Sequence, residues 1–89
     1  MAITNSILPA AIDSLVRLPI VKQATGKSRT TIYRDIEKGL MTRPVKIGGD
    51  RSAWPQSEIV AINQARVAGK SDNEIKALVV SLEVARVAQ

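Results

Sequence analysis

The chain has 89 residues, a formal net charge of +5, no Cys and no His. Those absences exclude a disulfide framework and remove the usual zinc ligands, and with them the commonest general base and activated nucleophile. The carboxylates are scattered rather than paired, so the expectation is one small domain that is not an enzyme and holds no metal or cofactor. A domain of this size hides only about 60 to 65% of the surface its unfolded chain exposes, so its core is modest.

The positive charge is concentrated. Arg17, Lys22, Lys27, Arg29, Arg34, Lys38, Arg43, Lys46 and Arg51 face only Asp35, Glu37 and Asp50, a net of +6 in the middle third. Such a stretch is suited to a polyanion, although a solvated basic surface has the same composition. No apolar run approaches the roughly 20 residues that span a bilayer, and the first residues lack the basic start of a secretory signal. A cytoplasmic protein without membrane association is therefore expected.

In chain order, Ser6 followed by Ile7, Leu8, Ala11, Ile12, Leu15 and Val16 has helical spacing and predicts an N-terminal helix over residues 1–16, with Ser6 as its cap. Pro19 then opens a two-turn helix whose apolar positions Ile20, Val21 and Ala24 precede a stop at Gly26. Ser28 is suited to cap the next helix and Gly39 to end it. Ile32, Ile36 and Leu40 form its buried stripe, which leaves Arg29, Thr30, Tyr33, Arg34 and Lys38 on or beside the outward face.

Gly26-Lys27-Ser28 could be taken for the end of a nucleotide-binding loop. That loop needs a second Gly five residues earlier, where this chain has Val21. Two short helices separated by Thr25-Gly26-Lys27-Ser28 instead have the spacing of a helix-turn-helix, whose second helix offers its N-terminal residues to base edges in the major groove.

Val45 and Ile47 alternate with Lys46, Gly48-Gly49-Asp50 supplies turn residues, and Ser52-Ala53-Trp54 returns as a second strand. Pro55 falls in the first turn of a further helix through Ile59, Ile62, Ala65 and Arg66 that ends by Gly69. The last helix starts at a capping box, Ser71-Asp72-Asn73-Glu74, and runs through Ile75, Leu78, Val79, Leu82 and Ala85. Val80, Val84 and Val87 form an additional apolar edge, which needs cover from the N-terminal helix or from another subunit.

Helix, turn, helix and basic hairpin describe a winged helix-turn-helix, mostly α with one small β-hairpin. The segment LPIVKQATGKSRTTIYRDIEKGLMTRPVKIGGDRSAWPQSEIVAI resembles the AlpA-type phage regulators and excisionases, small MerR-like winged-helix proteins. The shared pattern is Arg-Leu-Pro, then Gly-x-Ser-Arg-x-Thr-Ile-Tyr-Arg, a Pro-Val-x-Ile-Gly wing and Trp-x-x-Ser-Glu-Ile. It covers Arg17 to about Arg66 and neither flank. One departure is Gly48-Gly49-Asp50-Arg51, where the family often has one Gly followed by a basic residue; Asp50 would repel a phosphate unless it pairs with Arg51.

The resemblance implies a sequence-specific ligand of double-stranded DNA, acting as a transcriptional regulator or as an excisionase that steers an integrase. The partners to expect are DNA, an integrase or RNA polymerase, and further copies of the chain as a homodimer or a cooperative array.

Arg29 and Arg34 offer forked donors to guanine or to phosphate; the alternative for either is a solvated arginine on the helix face, and for Arg34 also an intrahelical pair with Glu37 or the neighbours of Lys38. Thr30 and Thr31 lie at a helix N-terminus, where the dipole favours a phosphate, the alternative being solvated first-turn residues. Tyr33 either hydrogen-bonds phosphate or braces the turn. Lys27 and Ser28 would reach the DNA backbone, Ser28 being first of all a cap. Lys46 and Arg51 are the wing candidates, with Gly48 and Gly49 permitting close approach. Trp54 reads as a core anchor.

Three segments result: an N-terminal extension over 1–16, the winged domain over 17–69, and a C-terminal helix over 70–89 suited to dimerisation. The competing reading is a protein-interaction module that works through that last helix.

Overall fold

The computed structural model describes residues 12–87. Within them the order is β1 (Leu15–Val16), α1 (Leu18–Thr25), α2 (Arg29–Lys38), β2 (Val45–Gly48), β3 (Arg51–Pro55), α3 (Gln56–Val67) and α4 (Asp72–Val87). The winged helix-turn-helix expected from the pattern is present, and β1 is an addition to it.

The helix expected over residues 1–16 requires correction. Its first eleven residues lie outside the described part. Ile12 to Ser14 have no regular structure, and Leu15–Val16 is a strand. The strand pairs antiparallel with β3, Leu15 opposite Pro55 and Val16 opposite Trp54, giving a sheet ordered β1-β3-β2. The cause is β3, whose second edge would otherwise leave backbone groups unpaired. Leu15 is 53% exposed, so the helical spacing of Ile12, Leu15 and Val16 does not correspond to one buried face.

Asp13 has a separate task. Pro55 occupies the N-cap position of α3, not its first turn as the sequence predicts, and has no side-chain acceptor. Asp13 supplies one from 44 residues away. Its carboxylate accepts from Ser57 N–H at 2.9 Å and from the Ser57 hydroxyl at 2.6 Å, while Gln56 N–H donates to Ser14 O at 2.7 Å.

The core gathers residues from every helix. Val21, Ile32, Leu40, Met41, Trp54, Ile59, Ile62, Ile75 and Val79 are buried together. Trp54 is the anchor expected from its place after a strand: it is fully buried and its indole N–H donates to Thr42 O at 2.9 Å. Full burial of such side chains contributes about 1.5 to 3 kcal/mol each.

The capping box of α4 forms as its sequence indicates. Glu74 N–H donates to Ser71 Oγ at 3.2 Å and Ser71 N–H to Glu74 Oε1 at 2.9 Å. That second bond, with Lys70 nearby, holds the Glu74 carboxyl below its ordinary pKa. Ile75 and Val79 enter the common core, so α4 is an integral part of it. Ala85, expected among the core positions, is exposed. Helical geometry turns the next residue, Arg86, toward the fold instead. Its guanidinium makes a two-pronged pair with Glu58 at 2.8 and 2.7 Å and donates to Arg43 O at 2.6 Å. The bonds to Glu58 raise the Arg86 pKa above its ordinary value.

Candidate nucleic-acid interface

The turn between α1 and α2 is fixed by three local devices. Gly26 ends α1 with φ of +70°, a left-handed conformation that a side chain would strain. Ser28 caps α2, its Oγ accepting from Thr31 N–H at 3.2 Å and donating to Thr31 Oγ1 at 3.1 Å. Lys27 Nζ meets Asp35 Oδ2 at 2.6 Å, which explains why a carboxylate on α2 is 9% exposed. Asn63 then ties α1 to α3 by donating to Ala24 O at 3.0 Å.

These bonds sort the candidate residues. Lys27, Ser28 and Thr31 each have a partner within the fold. Arg29, Thr30, Tyr33 and Arg34 instead line one shallow surface hollow on α2, closed at its far end by Glu37. Among the described residues four ion pairs form, and none includes Arg29, Arg34, Lys46 or Arg51. The intrahelical alternative for Arg34, pairing with Glu37, is therefore not adopted.

Tyr33 links this surface to the wing. The Arg29 guanidinium carbon lies 5.3 Å from the Tyr33 ring centre, and the Tyr33 ring meets Trp54 edge-on with centroids 6.4 Å apart. Trp54 belongs to β3, so one stack runs from an exposed arginine through a 37% exposed tyrosine into the core. Tyr33 thus links the outward face of α2 to the core, and its hydroxyl makes no hydrogen bond among the described residues.

The wing is β2 and β3, with Val45 opposite Ala53, Lys46 opposite Ser52, and an irregularity before Gly48 opposite Arg51. Gly49 in its turn has φ of +54°, so the glycine is required by the backbone itself. Lys46, Gly49, Asp50 and Arg51 are all exposed. Asp50 does not pair with Arg51, which leaves a negative charge at the wing tip between the two cations.

Two residues near the site were not among the candidate contacts read from the sequence. Glu37 stands one turn beyond Tyr33 and Arg34 on the same helical face and shares their hollow; its i+3 and i+4 spacing was the available signal. Arg43 is exposed between α2 and the wing. Its backbone is held by α4 on both sides, Arg43 N–H donating to Glu83 Oε2 at 2.8 Å and Arg43 O accepting from Arg86. Those contacts span some 40 residues of sequence and no local pattern announces them.

Two short helices joined by a tight turn, with Arg29 and Arg34 outside any ion pair on the outward face of the second, and a basic β-hairpin after them define the winged helix-turn-helix class. The model of the family described as prophage CP4-57 regulatory protein (AlpA) matches residues 14–66, and the chain belongs to that family. It is a family of phage-type regulatory DNA-binding proteins and is not enzymatic. An uncharacterised protein, ORF88, of Enterobacteria phage P4 is 40% identical over 58 residues. That match covers 65% of this chain and 66% of the phage protein, just under two thirds of its length. No solved structure matches the chain.

Proposed function

We propose that the protein binds double-stranded DNA sequence-specifically, with α2 in the major groove and the β2-β3 wing on the adjoining backbone or minor groove. The observation that carries this reading is the hollow on α2, where two arginines without acidic partners flank Thr30 and Tyr33. Arg29 and Arg34 are the base or phosphate contacts, and Arg29 is oriented by its stack on Tyr33. Thr30 serves the phosphate at the start of the helix. Lys46 and Arg51 neutralise backbone charge from the wing. Lys27, Ser28 and Thr31 contribute by shaping the turn, since each already has an internal partner. Glu37 suits the exposed amino group of a cytosine and disfavours phosphate at that end.

Such binding serves a transcriptional regulator or an excisionase, which would bend its site and touch an integrase; both need this docking. Family membership supports the regulatory role in either form. The reading entails a cytoplasmic protein; among the described residues no helix is long and apolar enough to cross a membrane.

The test is a salt titration of binding to duplex DNA from the region flanking the protein's own gene. Contact with about four to six phosphates gives a slope of log affinity against log salt near −4 to −5. Binding that is absent, or indifferent to salt, contradicts the proposal.

A further inference from the structure

Helix α4 has two apolar faces, and the fold uses one. Ile75 and Val79 are buried, whereas Val80, Val84 and Val87 are 62%, 58% and 85% exposed. On a helix Val80 and Val84 lie about 100° or more from both Ile75 and Val79, and Val87 about 80° from Val79. With Asn73 and Ala77, both exposed, they recur at steps of 4, 3, 4 and 3 residues, the seven-residue repeat of a two-helix seam.

We propose that this seam pairs antiparallel with α4 of a second copy of the chain, about a twofold axis passing near the level of Leu82. Val80 of each copy then faces Val84 of the other, and Ala77 faces Val87. The choice of occupant rests on charge as well as spacing. Lys76 and Glu83 flank the seam on one side, and the antiparallel arrangement brings Lys76 of each copy to within about 7.5 Å, along the axis, of Glu83 of the other, a span that the two long side chains bridge. A parallel arrangement sets Lys76 opposite Ser81 and gives Glu83 no cation. Glu83 Oε2 accepts from Arg43 N–H, while Oε1 has no hydrogen-bond partner among the described residues. Lys76 forms no ion pair among the described residues.

Short side chains over two helical repeats bury on the order of several hundred Å² in total, below the roughly 1,200 Å² at which stable interfaces begin. The pairing is accordingly weak and concentration-dependent, and it strengthens wherever two copies are held close together. Because the partner is the chain itself, the inference stands independently of the DNA-binding reading.

The absence of native cysteine allows a direct test on the full-length protein without DNA. Val80→Cys and Val84→Cys are prepared separately, then oxidised alone and as an equal mixture at high protein concentration. The antiparallel seam predicts several-fold more disulfide-linked dimer in the mixture than in either variant alone. Val84→Asp, outside the core, is expected to lower the mass measured by sedimentation at high concentration without changing the unfolding midpoint by more than a few degrees. Equal cross-linking of a single variant and the mixture overturns the antiparallel arrangement. No disulfide-linked dimer in any sample, as when residues 1–11 or an unrelated protein cover the face, overturns the proposal altogether, as does a mass unaffected by Val84→Asp.

Discussion

The outward face of α2 and the α3-α4 hairpin both carry arginines, and the fold treats them oppositely. Arg86 lies against Glu58, a carboxylate 3% exposed, and reaches across to the Arg43 carbonyl. Arg66, at the end of α3, has Asp72 at 3.4 Å. On α2 the only carboxylate turned inward, Asp35, is taken by Lys27, and Arg29 and Arg34 have none. The same side chain thus holds the fold where an acidic neighbour waits and remains available to a ligand where none does. Net charge cannot make that distinction; the pairing can.

The sharpest way to separate the two regions is to remove one arginine from each. Arg86→Ala leaves Glu58 charged, enclosed and without its cation. The expected loss is about 2 to 3 kcal/mol in urea unfolding, below the roughly 3 to 5 for a fully enclosed pair, because the Arg86 side chain is 22% exposed. Arg34→Ala is expected to leave unfolding within about 0.5 kcal/mol and to weaken specific DNA binding by about 1 to 3 kcal/mol, with a smaller effect on non-specific duplex. Equal losses on the two duplexes would turn Arg34 into a backbone contact. If Arg34→Ala instead destabilised the fold as much as Arg86→Ala, the comparison itself would break.

Smaller effects refine it. Lys46→Ala is expected to weaken specific and non-specific binding alike and to reduce the salt slope by about 1. The least is expected at the capping box. The Glu74 pKa is lowered in the folded state, chiefly by the Ser71 N–H, so its contribution is present above the ordinary carboxylate pKa and lost as pH falls through the lowered value. The stability difference between the native chain and Glu74→Gln should therefore shrink on acidification, as read by unfolding at a series of pH values. A difference that grew toward acid pH would reverse the assignment.

Elements governed by local chemistry were legible in the sequence. Ser28, Gly26, Gly39 and the Ser71-Glu74 box each act within a few residues of themselves, so the helix-turn-helix and the start of α4 followed from spacing alone. Long-range pairing was not legible. Leu15–Val16 becomes a strand because β3 lies beside it, Asp13 caps a helix that starts beyond Pro55, and Arg86 turns inward onto Glu58, 28 residues away. The site divides in the same way. Arg29, Thr30, Tyr33 and Arg34 could be placed on one face by helical periodicity. The pairing of Lys27 with Asp35, eight residues on, needed the closed turn.

Deleting residues 71–89 is a poor test of the role of α4, because it removes Ile75 and Val79 from the core along with the exposed valines. Substitutions confined to either surface keep the scaffold.

The central claim is that DNA meets the α2 face and the wing while the α3-α4 hairpin holds them in place. Its most direct test is the change in amide chemical shifts as a duplex short enough for one copy is added to the isotopically labelled protein. The account predicts the largest shifts over residues 28–34 and 46–51, with those of residues 72–87 small. Shifts concentrated on α4, with Arg29, Tyr33 and Arg34 unmoved, would contradict it.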